Sequence, residues 1–185
     1  MPGSTALYGL PYLELTDAPD IAGATQDLAE AVETELQRIE TTSQPVAAYQ
    51  SANDTSTSTS YVAGTDHGVA FAAPATGKVY VSISGSLGTN TIASLAGAFF
   101  SFEVRAGGTV GSGSVVQSAD DARSTGLFRP NNPTSGFKYA PASGRFLVAG
   151  LTPGSTYNVR TMFRTDTGGA TAAVLNRTLV VEPVL

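Results

Sequence analysis

Apolar residues follow two different periods along this chain, and the change comes near residue 44. Ile21, Ala24, Leu28, Val32, Leu36 and Ile39 recur at intervals of three and four, the repeat of one helix face. Good helix formers such as Ala29, Glu30, Ala31, Glu33 and Gln37 fill the positions between them. Asp20 stands just before Ile21, where its carboxylate can accept the free amides of an opening turn. Pro45 bounds the far end, after a polar link of Thr41, Thr42, Ser43 and Gln44. The spacing predicts one helix of roughly 20 residues, about 30 Å long. Its stripe must be buried, either on the rest of the chain or on copies of itself in a short coiled coil. Upstream, residues 6–15 hold four Leu and two Tyr, broken by Gly9 and Pro11, and read as extended and too apolar to leave in water.

From Pro45 onward the texture becomes short runs of β-type residues punctuated by Gly, Pro, Asn and Asp. Nine strands are predicted, at 46–50, 68–73, 78–84, 98–105, 114–118, 125–128, 145–148, 156–164 and 172–181. Val79, Val81 and Ile83 alternate with polar residues, as do Phe102 and Val104, so one face of each strand is wet. Many short strands joined by turns imply an antiparallel β-sandwich or jelly roll, not a parallel sheet with crossover helices. The run Leu151-Thr152-Pro153-Gly154-Ser155-Thr156-Tyr157 places a Tyr at a strand start after a Pro-Gly turn. That is the arrangement in which a sandwich Tyr packs at the corner and returns its hydroxyl to the backbone. The expected division is 1–44, an N-terminal segment with the helix, and 45–185, the β domain.

Composition narrows the chemistry. Charged residues are only 14% of 185, while Ser, Thr and Gly number 18, 23 and 20, so the surface is neutral and rich in hydroxyls. There is no Cys and a single His, which removes thiolate chemistry, cysteine zinc sites and multi-histidine metal sites. The net charge of −5 argues against nucleic acid, which needs a concentrated basic surface. That charge is uneven: residues 1–44 carry eight acids against Arg38 alone, and the remainder carries seven acids against nine bases. No basic-then-apolar leader is expected at the N-terminus, and apolar runs are too short for membrane insertion.

Few residues suggest catalysis. His67, between Asp66 and Gly68, reads as part of a polar turn with no nucleophile in evidence. Asp120 and Asp121 read as a solvated turn, without the spacing of a calcium loop. The Gly-rich residues 107–113 lack the Lys-Ser/Thr of a phosphate loop and read as a flexible loop. Residues 54–60, alternating Ser and Thr after Asp54, read as a linker or an edge strand. Asn176-Arg177-Thr178 matches a glycosylation sequon by accident. A glycosidase needs two carboxylates about 5–10 Å apart, and Glu103 alone of the β domain's acids lies in a strongly patterned strand. No cofactor, metal site or enzyme activity is expected.

The run Tyr8-Gly9-Leu10-Pro11-Tyr12-Leu13-Glu14-Leu15-Thr16-Asp17-Ala18-Pro19-Asp20, followed by Leu28-Ala29-Glu30-Ala31-Val32, resembles the opening of virion proteins of tailed bacteriophages, particularly those of actinobacteria. The likeness covers roughly the first 40 residues; the Ser/Thr/Gly-rich sandwich is similar in texture only. The resemblance implies a non-enzymatic virion protein, trimeric, held to other virion proteins by its N-terminus with the β domain outward. On this view Leu7, Tyr8, Leu10, Tyr12 and Leu13 are the virion anchor, and Ile21, Leu28, Val32, Leu36 and Ile39 form the helix self-association seam. Arg129, Phe137, Lys138 and Tyr139, in a loop spanning 129–139, are the candidate contact with the host surface. A tail-associated or fibre-like role is expected, with a capsid decoration or head-fibre role as the alternative. A free carbohydrate-binding module, stacking sugars on Tyr80, Phe137 or Tyr139, is the remote alternative.

Overall fold

The structure is a computed structural model and describes residues 3–4, 11–12, 21–90, 96–129 and 136–185. The chain divides into two compact units, Met1–Thr42 and Ser43–Leu185. In the first, β1 (Gly3–Ser4) pairs antiparallel with β2 (Pro11–Tyr12). The single α-helix among the described residues, α1, runs from Ile21 to Ser43. It stops two residues before Pro45, whose ring disfavours helical backbone at Gln44. On its surface the Gln26 amide donates to Glu30 at 2.9 Å, and Arg38 meets Glu35 at 2.6 Å, pairs spaced four and three residues apart. Asp20 lies outside the described residues.

The second unit is mainly β. Its strands are β3 (Val46–Gln50), β4 (Asp54–Ser56), β5 (Val62–Ala72), β6 (Val79–Asn90), β7 (Ala96–Ala106), β8 (Val115–Gln117), β9 (Thr125–Arg129), β10 (Lys138–Val148), β11 (Thr156–Thr165) and β12 (Thr171–Pro183). One sheet has the order β10–β6–β12–β3, with β4 also on β12; the other has β5–β11–β7–β8, with β9 also on β7. All pairings are antiparallel. From β9 onward the chain crosses between the sheets at each step, which is the antiparallel sandwich expected from the residue pattern.

Alternation explains how the sheets stick together. Val79, Val81 and Ile83 of β6 and Leu179 and Val181 of β12 meet Phe100, Phe102 and Val104 of β7 and Val159 and Phe163 of β11, all almost free of solvent. Burying a side chain of this size contributes about 1.5–3 kcal/mol. At one corner the Thr152 amide donates to the Tyr157 hydroxyl at 3.0 Å, and both Leu151 and Tyr157 are buried, as the Pro-Gly motif implies.

Three strands exceed their predicted lengths by five residues or more. β5 begins at Val62 instead of 68, β6 continues to Asn90 instead of ending at 84, and β10 begins at Lys138 instead of 145. Their extra residues include Gly85, Gly88, Pro141 and Gly144, which have poor strand propensity and are held by pairing partners instead. Pro141 is tolerated because β10 is an edge strand, with one side of its backbone unpaired.

Candidate functional site

The helix carries the first candidate surface. Leu28, Val32, Leu36 and Ile39 are all exposed, Leu36 most of all at 61%. Ile21 opens the same helix, but its side chain lies outside the described set. Ile21 to Val32 and Leu28 to Ile39 are both separations of eleven residues, or 3.67 residues per turn over three turns. This is close to the natural helical repeat, so the stripe runs nearly straight along the axis. Of the expected anchor residues, Leu7, Tyr8, Leu10 and Leu13 lie outside the described residues, and Tyr12 is described only as part of β2.

The expected host-contact loop is shorter than the sequence implied. Arg129 ends β9, and Lys138 and Tyr139 open β10, paired with Thr89 and Gly88 of β6. Only 130–135 fall outside the described residues. The Tyr139 ring lies on Gly88, where an added methyl would stand 2.8 Å from it, and stacks on Phe137 with ring centres 5.9 Å apart. Its hydroxyl accepts from the Asn53 amide at 3.2 Å. Tyr139 is therefore a fixed platform on a strand, not a loop residue.

The excursion between β7 and β9 corrects one further expectation, the flexible loop at 107–113, and keeps Asp120-Asp121 in an exposed turn. Residues 107–113 are tied down by Asn158 of β11, which is wholly buried. Its amide nitrogen donates to the Gly107 and Ser112 carbonyls at 2.9 and 3.2 Å, and its oxygen accepts from the Gly111 amide at 3.0 Å. The pair Asp120-Asp121 is equally engaged: Asp120 caps a short 3₁₀ turn, Asp121–Arg123, accepting from the Arg123 amide at 2.9 Å. Asp121 accepts hydrogen bonds from Arg164 Nη2 on both carboxylate oxygens at 2.9 Å and another from the Tyr61 hydroxyl. Burial then pushes the Tyr61 phenol up to about 12.

A groove of about 690 Å³ opens beside these residues, reaching Glu103. Burial alone would raise the Glu103 carboxyl, but hydrogen bonds from Arg105 at 2.7 Å and Arg160 at 2.5 Å outweigh it and hold the group below the usual carboxylate range. Asp121 is lowered by its hydrogen bonds from Arg164. Both carboxylates are thus kept ionised, and neither is disposed to deliver a proton as a general acid. Among the described residues no group of three or more His, Asp or Glu could hold a metal ion, and no helix is long and apolar enough to cross a membrane.

His67 occupies neither a turn nor the surface. It lies in β5, almost fully buried, where residues 64–67 bulge opposite Thr161. Its Nε2 is 3.2 Å from the Ala48 carbonyl and its Nδ1 is 3.1 Å from the Thr161 hydroxyl. A carbonyl only accepts, so Nε2 carries the proton and Nδ1 accepts from Thr161. A second bulge, at Asn176 with φ of +52° in β12, brings Arg177 inward. The Arg177 guanidinium, fully buried, meets Asp54 of β4 at 2.5 Å, and Gly64 leaves the room they occupy. Residues 54–60 therefore start with a strand that supplies the counter-ion of a buried arginine.

Burial lowers the His67 pKa from 6.5, reinforced by Arg177 and opposed by the Ala48 carbonyl and Asp54. The folded state thus resists protonation, and stability falls as pH drops below about 6.5, where only the unfolded chain gains the proton. Asp54, Glu103 and Asp121 are shifted below 3.8 or 4.5, so their contributions are lost only at lower pH. Urea unfolding between pH 7.5 and 5 is expected to show a loss approaching at most about 1.4 kcal/mol per pH unit. His67→Gln should flatten the curve; an unchanged slope in that variant would show that the dependence arises elsewhere.

No family model matches the chain, and no curated protein matches it. Solved structures similar in part include the Eiger TNF of S. frugiperda, 9% identical, spanning 76% of this chain and 93% of that one with a TM-score of 0.37. The CBM22-1 xylan-binding domain of Paenibacillus barcinonensis Xyn10C is 14% identical over 57% of each chain, with a TM-score of 0.27. The structure of infectious bursal disease virus, Gx strain, is 13% identical over 77% of this chain and 38% of that one, with a TM-score of 0.30. Scores this low assign the chain to no family.

Proposed function

We propose that this chain is a non-enzymatic structural protein of a phage particle, a homotrimer joined through α1. Its N-terminal residues Leu7, Tyr8, Leu10, Tyr12 and Leu13 dock on other virion proteins, and its sandwich faces outward toward the host surface. The observation that carries the reading is the exposed stripe Leu28, Val32, Leu36 and Ile39, on a helix otherwise acidic. A straight apolar seam suits a partner helix presenting the same seam, that is, a second and third copy of the chain. The ionised state of Glu103 and Asp121 and the neutral, doubly bonded His67 support a role without acid–base catalysis. A tail-associated position and a capsid-decorating one use the same two-part design, and imaging the chain on intact particles distinguishes them.

The test of assembly is mass. Sedimentation of the full-length protein at micromolar concentration is expected to give three times 18.9 kDa. Leu28→Glu with Leu36→Glu should give a monomer with an unchanged β circular dichroism signal. The helix carries five acids, Asp27, Glu30, Glu33, Glu35 and Glu40, against Arg38, so salt should strengthen association by screening their repulsion. A monomeric wild-type protein under these conditions overturns the assembly.

A further inference from the structure

The outer face of the β10–β6–β12–β3 sheet carries an aligned row of hydroxyls. The strand register sets Ser143, Ser84, Thr178 and Tyr49 in one row across four adjacent strands. At about 4.8 Å per strand that row is roughly 14 Å long. Small side chains along the row leave two hollows of about 450 and 440 Å³, which share Ser84 and Ser143 and so form one groove. Large rings stand around it. Tyr80 and Tyr139 lie outward on β6 and β10 on either side of the row, and Tyr49, 65% exposed, stands on the β3 side with its hydroxyl donating to Asn176 Oδ1 at 3.2 Å. Arg145 covers the Tyr80 ring at 4.2 Å and pairs with Glu182 at 3.0 Å, so these two charges cancel.

We infer that this groove is a binding site for an uncharged glycan chain. Each Ser or Thr hydroxyl both donates and accepts a hydrogen bond, which matches the hydroxyls of a sugar and leaves none unpaired when water is displaced. The exposed Tyr49 ring offers a flat apolar face to the C–H side of a sugar ring. An apolar protein surface laid on the groove would strand the hydroxyl row without partners. An anionic polymer would need a free cation, and the arginine beside the groove is already neutralised. The site gives the proposed contact with a host surface a ligand class, and it rests on that reading.

The experiment is native gel electrophoresis of the full-length protein through gels containing laminarin, mannan, dextran or arabinoxylan, with alginate and hyaluronan as anionic controls. Retardation is expected in at least one neutral gel. Ser84→Leu, which fills the groove, and Tyr49→Ala, which removes an exposed ring, should each weaken it at least tenfold. No retardation in any of the four neutral gels overturns the site, as does stronger retardation by the anionic polymers or retardation that both variants leave unchanged. Sedimentation of the same samples separates the two proposals: a trimer that ignores all four glycans removes the site and leaves the assembly, and a retarded monomer does the reverse. A change of mass in Ser84→Leu would make the face a subunit contact and also overturn the site.

Discussion

Asp54→Ala is expected to destabilise the sandwich by about 3 kcal/mol, the lower end of the range for breaking a buried ion pair. Arg177 is wholly enclosed, and its guanidinium has no hydrogen-bond partner among the described residues beyond the 2.5 Å ionic contact with Asp54. Removing the carboxylate leaves that charge unpaired and also orphans the Thr65 amide and hydroxyl, each 2.7 Å from Asp54. The lower end applies because Asp54 itself keeps 14% of its side-chain exposure and water reaches one side. For a unit of this size the melting temperature should fall by roughly 10 °C. Combining Asp54→Ala with Arg177→Met should recover part of the loss, since the stranded charge is then gone. A cost under about 1 kcal/mol, or a double variant no better than the single, would mean that Arg177 is solvated.

Asn158→Ala should cost about 3 kcal/mol, by the loss of three hydrogen bonds at about 1 kcal/mol each. Its more specific effect is local. The Gly111 amide, bonded to Asn158 Oδ1, should exchange its hydrogen much faster, and proteases should cut within 107–113 while the core strands stay protected. An equally protected Gly111 in the variant would show that the loop is held by other contacts.

These two residues show what is hard to read along a chain. Helix α1 was legible because its apolar spacing and the stop at Pro45 are local, and β3, from Val46 to Gln50, was legible for the same reason. The buried corner at Tyr157 was legible as well, because its motif spans seven consecutive positions. The opening of β10 was not, since Tyr139, Pro141 and Gly144 have no shared strand preference and gain their conformation from β6. His67 looked like part of a turn because Asp66 and Gly68 flank it; only the bulge in β5 turns it toward Ala48 and Thr161.

By itself the sequence determined the helix, most of the strands, the inward face of each and a neutral hydroxyl-rich exterior, because periodicity and composition are properties of neighbouring residues. Tertiary structure alone decided which polar groups meet. Asp54 and Arg177 are 123 positions apart, and strand pairing with a bulge in β12, not any motif, brings them together. The alternation of Ser82 and Ser84 with Val79, Val81 and Ile83 marked a wet strand face, but the groove exists only because pairing aligns it with Ser143, Thr178 and Tyr49. A register is fixed by contacts between distant strands, and a shift of one residue would turn that row into the core.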